Sequence, residues 1–325
     1  MSDLVLSVQD LTVRYSTRQG DVKAVEKASF TVRRGESLGL VGESGCGKTT
    51  IALALLRLLP DNGRITGGHI YLDGADLVSM DYDQVRRYRW RRIAMIFQAA
   101  MNSLDPVYRV GDQIIEAITL HYNVSEEEAR SRVARLFRLV GLDPSLADRY
   151  PHEFSGGMKQ RAIIAMALSC DPEVVIADEP TTALDVIVQD RILREISQVQ
   201  RDLNMGMVYI SHDIAVIAEV CDNLAVMYAG HIVERGSTVE VFRSPIHPYT
   251  QALISSFPSV AGQKHELVPL PGEPPSLVDP PAGCPFHPRC PLATEECRTQ
   301  EPPLVRRGTH EAYCWNPLEE KRDGE

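Results

Sequence analysis

No stretch of this chain approaches the ~20 consecutive apolar residues that a membrane-crossing helix requires. The N-terminus, Met1-Ser2-Asp3, lacks the basic and then apolar segments of a secretory signal, so a cytosolic location is expected. Positive charge is not in surplus either: 34 Lys and Arg stand against 44 Asp and Glu, a formal net charge of −10. That balance argues against a general polyanion binder, while leaving room for a local basic patch. No internal repeat and no heptad tract is visible.

What remains is an ordinary globular composition, 44% hydrophobic over 325 residues. It suffices for an α/β domain of about 200–250 residues and a smaller appendage. Proline marks the boundary. Of 21 prolines, fifteen follow Val241, among them Pro269, Pro271, Pro274, Pro275, Pro280 and Pro281. Proline at that density is expected to forbid regular helix and sheet ladders. Residues 243–325 therefore read as an extension, held by something other than a large core, after a first domain over residues 1–242. Cysteine is uneven too. Cys46, Cys170 and Cys221 are scattered and read as packing or loop residues, whereas Cys284, Cys290, Cys297 and Cys314 crowd into 31 residues. In a reducing compartment that density points to a metal or cluster rather than to disulfides.

Before the boundary, strands alternate with helices. Leu4 to Tyr15 alternates partly at period two, and Ala28 to Val32 with Ser37 to Val41 flanks a turn at Arg34-Gly35. Lys48 to Leu59 is a predicted helix ended by Pro60. Ser125 and Glu128 make a capping box ahead of an apolar stripe of Ala129, Val133, Leu136, Phe137 and Val140. A further helix is expected over 186–203, with Ile192, Ile196, Val199 and Leu203 on one face. Glu173 to Ala177 and Met207 to Ile210 suit central parallel strands, giving a mostly parallel sheet with helices on both faces. Between about Gln98 and Phe154 the pattern is helical without strands, an expected inserted subdomain.

Three motifs carry chemistry. Gly42-Glu43-Ser44-Gly45-Cys46-Gly47-Lys48-Thr49 fits G-x-x-x-x-G-K-[ST] and sits between an apolar strand and a helix, as that motif requires. Its glycines let backbone N–H groups turn inward around a β-phosphate, at a helix N-terminus that favours anions. Lys48 would reach the β- and γ-phosphates of ATP, and the Thr49 hydroxyl would ligate Mg²⁺. Asp178 and Glu179 end the strand Val174 to Ala177; Asp178 can hold Mg²⁺ through water, and Glu179 can orient and deprotonate the attacking water. Ser155 is a good N-cap, and Gly156 and Gly157 let a phosphate approach the amides of the next helix.

In this combination the sequence resembles the ATP-binding cassette family over about Leu4 to Arg235. The resemblance implies an α/β, RecA-like P-loop nucleotide-binding domain with a small antiparallel β subdomain and an inserted helical subdomain (about 98–160), followed by the Pro- and Cys-rich irregular extension. It implies ATP hydrolysis at a dimer interface, each nucleotide lying between one chain's Gly42-to-Thr50 segment and its partner's signature. That signature, Phe154-Ser155-Gly156-Gly157-Met158, has Phe154 and Met158 where the family usually has Leu and Gln. Gln98 matches the glutamine that senses Mg²⁺ and the membrane partner, and Thr181-Thr182-Ala183-Leu184-Asp185 matches the dimer-crossing loop, with Asp185 communicating between sites. His212 matches the switch histidine on the γ-phosphate. Tyr15 could stack on adenine, since an aromatic face suits a base.

Further tracts resemble one branch of that family, the ATPase subunits of dipeptide and oligopeptide importers, and within it the D-type subunit. They are Tyr150 to Met158, Met227-Tyr228-Ala229-Gly230, Ser244-Pro245-Ile246-His247-Pro248-Tyr249-Thr250, and Gly283-Cys284-Pro285-Phe286-His287-Pro288-Arg289-Cys290-Pro291. Implied partners are a second, F-type ATPase, two transmembrane permeases and an extracellular or periplasmic solute-binding protein, at the cytoplasmic face of the plasma membrane. A non-transport cassette ATPase acting on nucleic acid or the ribosome is the alternative, disfavoured by the single cassette and negative charge. The four tail cysteines, spaced C-x5-C-x6-C-x16-C, lack the C-x2–4-C knuckles of structural zinc sites. Long spacing suits wrapping a cuboidal cluster, and four thiolates suit [4Fe–4S], which members of this branch carry. Zinc, with His287 or His310 assisting, and reduced thiols are the alternatives.

Overall fold

The computed structural model describes residues 3–98, 103–180, 186–256 and 272–320. The chain opens with β1 (Leu4–Thr17), β2 (Gly20–Arg33), β3 (Ser37–Val41), α1 (Lys48–Leu55), β4 (Gly63–Leu72) and β5 (Ala75–Asp76). Then come α2 (Tyr82–Tyr88), β6 (Ile93–Ile96), α3 (Val110–His121), α4 (Glu126–Leu139), α5 (Gly156–Ala167), β7 (Val174–Asp178) and α6 (Val186–Asp202). The last part holds β8 (Gly206–Ser211), α7 (Ile214–Val220), β9 (Asn223–Tyr228), β10 (His231–Ser237), α8 (Thr238–Arg243) and α9 (Pro248–Ser255). It closes with α10 (Glu295–Thr299), β11 (Leu304–Arg307) and β12 (His310–Tyr313). These elements divide into two compact units. One comprises Met1–Leu6, Thr31–Ser37 and Tyr71–Tyr209; the other comprises Ser7–Phe30, Leu38–Ile70 and Ile210–Glu325.

In the first unit β7 lies between β8 and β6 and runs parallel to β6, in register from Ile93 opposite Val174 to Ile96 opposite Ala177. All five β7 residues are buried, which is why the strand reads as an unbroken Val-Val-Ile-Ala run rather than an alternation. After Gln98 the described residues as far as Phe154 hold no strand, but α3, α4 and two short 3₁₀ segments, Pro144–Asp148 and Pro151–Glu153. At the start of α4 the Ser125 N–H donates to Glu128 Oε2 at 2.8 Å and the Glu128 N–H returns a bond to Ser125 Oγ at 3.2 Å. Ala129, Val133, Leu136 and Phe137 of that helix are buried, as their spacing predicts.

Two helix ends differ from expectation for one reason. On α6, Ile192, Ile196 and Val199 are buried, but Leu203 lies beyond the helix and is 46% exposed. Asn204 adopts φ +50°, and the Met205 N–H closes on Gln200 O at 3.2 Å. This left-handed reversal turns Leu203 outward and hands the core position to Met205. In the second unit α1 stops at Leu55 instead of continuing to Leu59. There Arg57 takes φ +53°, and the Leu58 N–H reaches back to Leu53 O at 2.8 Å. Neither Asn204 nor Arg57 carries the glycine that would have announced the turn.

The second unit orders its strands β11-β12-β10-β9-β3, with β2-β1-β4 in another sheet. β3 runs parallel to β9, from Leu38 opposite Asn223 to Val41 opposite Val226, and β9 with β10, β10 with β12, and β11 with β12 are antiparallel. The proline-rich extension therefore does contribute a sheet ladder and two helices, α9 and α10, against expectation. Its prolines fall where no donor is needed: Pro248 occupies the first turn of α9, and Pro302 and Pro303 precede β11. The Glu234 carboxylate, completely buried, holds this arrangement together. It accepts from Ile246 N–H at 2.7 Å, His247 N–H at 2.8 Å and His310 Nε2 at 2.7 Å, which satisfies a charge that would otherwise be costly to bury.

Candidate functional site

The loop from Gly42 to Lys48 follows β3 and opens α1, the context its sequence demands. Two glycines are there because no side chain fits. A Cβ on Gly42 (φ +152°) would stand 2.1 Å from Met227 O, and one on Gly47 (φ +110°) 2.3 Å from Ala24 O. Ser44, Gly45 and Thr49 are exposed, while Lys48 is buried. Lys48 Nζ donates to Gly42 O at 2.6 Å, to Glu43 O at 3.0 Å and to Cys46 Sγ at 3.6 Å. The ammonium is thereby held inside the loop, on atoms that a phosphate oxygen can replace as partners. Burial pushes the Cys46 thiol up, with Lys48 opposing; it is a packed, protonated group. Tyr15 sits inside β1 rather than at its end, and its hydroxyl donates to Thr50 Oγ1 at 3.3 Å. Gly63 lies against that ring: a Cβ there would be 2.6 Å from Tyr15 Cε1.

Asp178 is the buried last residue of β7, and Glu179 follows with φ +46°. A left-handed backbone is strained for a glutamate, and strain of this kind concentrates at functional positions. Glu179 Oε2 accepts from Gln98 Nε2 at 2.7 Å. Gln98, two residues past β6, is exposed. These residues, 81 apart in sequence, place a carboxylate and an amide side by side at the ends of adjacent parallel strands.

Ser155 caps α5: its Oγ accepts from the Met158 N–H at 3.4 Å. Ser155 and Gly156 are exposed, Gly157 and Met158 half-buried, and Phe154 is buried as the anchor of the turn. His212 is exposed directly after β8, and Asp213 caps α7 by accepting from the Ala215 and Val216 N–H groups at 3.0 and 3.2 Å. The segment Thr181 to Asp185 lies outside the described residues.

In the extension, a 3₁₀ turn over His287–Arg289 joins Cys284 to Cys290, and Cys284 N–H donates to Cys297 O at 2.8 Å. Thr294 Oγ1 and Asn316 Nδ2 each lie 3.5 Å from Cys297 Sγ. Burial pushes Cys284 up to about 11 and Cys314 up to about 12, and the other three thiols each add to the shift at Cys314. Among the described residues no three His, Cys, Asp or Glu side chains are arranged to hold a metal ion. His310, an expected assistant for zinc, is committed to Glu234 instead.

Sequence reasoning passed over Arg289. Its guanidinium, only 5% exposed, forms two bonds to the Glu43 carboxylate, Nη1 to Oε2 at 2.7 Å and Nη2 to Oε1 at 3.0 Å. Nη1 also reaches Tyr228 OH at 3.3 Å. The Glu43 N–H donates to Tyr249 OH at 3.1 Å. An arginine between two crowded cysteines was the available signal.

A family model described as "ABC transporter" matches residues 25–182. The oligopeptide transport ATP-binding protein OppD of Escherichia coli K12 is 45% identical over 98% of this chain and 95% of its own length. The chain belongs to the ABC transporter ATPase family. A second model, "Oligopeptide/dipeptide transporter, C-terminal region", matches residues 233–297 of this ABC ATPase. The dipeptide transport ATP-binding protein DppD of Haemophilus influenzae is 43% identical over 98% of the chain and 97% of its own. Among solved structures, the dimeric bacterial ABC transporter cassette MJ0796 superposes with a TM-score of 0.64 at 25% identity, covering 72% of this chain and 98% of that one. The fold is thus an ABC cassette with a P-loop. Among the described residues no helix is long and apolar enough to cross a membrane.

Proposed function

We propose that this ABC ATPase is the motor subunit of an importer of dipeptides or oligopeptides, acting at the cytoplasmic face of the inner membrane. One observation carries the reading: relatives named as oligopeptide or dipeptide transport ATP-binding proteins match along 96–98% of the chain at 43–45% identity, extension included. Residues 1–242 form the nucleotide-binding domain and 243–325 the extension. Lys48 and the loop amides take the ATP phosphates, Thr49 and Asp178 hold Mg²⁺, and Tyr15 meets the adenine. Glu179 orients and deprotonates the attacking water, with Gln98 and His212 attending the Mg²⁺ and the γ-phosphate. Ser155, Gly156, Gly157 and Met158 complete the partner's nucleotide site, and Asp185 links the two. ATP-driven closure of the pair turns two permeases outward, and hydrolysis resets them.

The second ATPase in this proposal is a distinct F-type chain, and a solute-binding protein delivers the peptide. The four tail thiols hold a [4Fe–4S] cluster. Four thiols within 31 residues, three of them buried, are a donor set of the kind such a cluster takes. When bound, the cluster supplies cross-links that a proline-rich segment cannot obtain from core burial. Affinity purification from membranes tests the whole reading. Recovery of two multi-span permeases and a second cassette ATPase is expected; recovery of ribosomes or nucleic acid in their place would overturn it.

A further inference from the structure

We infer that Arg289 is a positioning residue for nucleotide binding, through which the cysteine-bearing extension sets the phosphate loop. The inference rests on the loop's being the ATP site. Glu43 is the second residue of that loop, and its carboxylate carries the same sign as a triphosphate. Left bare, it would repel the ligand; the Arg289 fork neutralises it and turns it away. The same residue is gripped at a second point, because Tyr249 OH accepts the Glu43 N–H at 3.1 Å. Its carbonyl in turn accepts from Lys48 Nζ at 3.0 Å. Side chain, amide and carbonyl of one loop residue are therefore all spoken for, two of them by the part of the chain beyond residue 248.

The grip is built on a buried aromatic base. Tyr228 stands edge-on to Phe286 with centroids 5.2 Å apart, and Phe286 meets Tyr249 at 5.3 Å. The Arg289 guanidinium lies 5.7 Å from the Tyr228 ring centroid. The direction of Arg289 is decided by the short turn in which the His287 N–H bonds Cys284 O at 3.0 Å and the Arg289 N–H bonds Phe286 O at 3.0 Å. Cys284 and Cys290 bracket that turn, so what holds the thiols also aims the guanidinium. Pre-ordering a loop and cancelling an adverse charge both raise affinity for the anion.

The test measures ATP affinity of the full chain by calorimetry, and KM and kcat in the assembled transporter. Arg289→Met is expected to weaken ATP binding about tenfold and to raise KM alike, with kcat within about twofold of the parent. Arg289→Lys, which keeps charge but not the fork, should fall between. In a Glu43→Gln background, where no carboxylate needs neutralising, Arg289→Met should cost less than about twofold. Unchanged or tighter binding by Arg289→Met, or the same loss in both backgrounds, overturns the inference. If Arg289→Met does not fold, the Arg289→Lys pair of measurements decides by the same criteria. Lys48→Ala, run alongside, separates the two levels: should it also bind ATP normally, the loop is not the nucleotide site at all.

Discussion

Gln98 donates from Nε2 to Glu179 Oε2 at 2.7 Å, joining a residue two positions past β6 to the residue directly after its parallel neighbour β7. The carboxylate is thus oriented by an amide that offers no competing charge, while its own backbone is held at φ +46°. An orientation fixed in this way suits a group that must address one water rather than sample many.

Glu179→Gln keeps the shape of the side chain and removes its basicity. ATP binding should survive, and turnover should fall by about 10²–10⁴-fold, leaving a long-lived nucleotide-held dimer visible by size-exclusion chromatography. Phosphate release at the parent rate would remove Glu179 from the role of base.

Lys48→Ala deletes a buried ammonium that three loop atoms hold. A charge-assisted bond to phosphate contributes ~1.5–3 kcal/mol, so Kd for ATP should rise about 10- to 100-fold. Calorimetric titration checks this, with circular dichroism to show that the fold is retained.

His247 caps α9 by accepting the Tyr249 N–H on Nδ1 at 3.0 Å, and burial pushes its imidazole down to about 4. The unfolded chain then binds a proton near pH 6.5 that the folded chain refuses until about pH 4. Stability contributed by the neutral ring is present above pH 6.5 and drains away as pH falls towards 4. Between pH 7.5 and 5 the loss should be about 2 kcal/mol. His247→Asn preserves a capping acceptor; its unfolding free energy should lose that much less over the same interval in denaturant titrations.

Cys297 has two polar neighbours at its sulfur and a backbone tie to Cys284. With a [4Fe–4S] cluster in the extension, the purified chain should be brown and Cys297→Ser colourless, with iron and sulfide lost together in elemental and sulfide assays. A colourless parent that carries zinc would exclude the cluster.

The phosphate loop, the Ser125–Glu128 box, the Ser155 cap and the apolar Val174–Ala177 run of β7 are legible in the sequence, because each depends on residues within a few positions of one another. Spacing also places Asp178 and Glu179 at a strand end. It does not say what Glu179 touches, since Gln98 arrives from 81 residues away. The end of α1 is hidden because Arg57 accepts a left-handed backbone that its identity does not advertise, whereas Asn204, a residue that readily takes that conformation, marks the end of α6. The extension was misjudged because counting prolines ignores where they fall, and β12 carries none.

What the linear chain determined by itself is the local chemistry: which residues can bend around phosphate, start a helix or fill a central strand. What only the folded chain decided is which distant charges meet. Arg289 and Glu43 are 246 residues apart, and no periodicity or motif couples them. An ion pair depends on position and orientation in space, and those follow from packing of whole strands and helices rather than from any neighbouring residue.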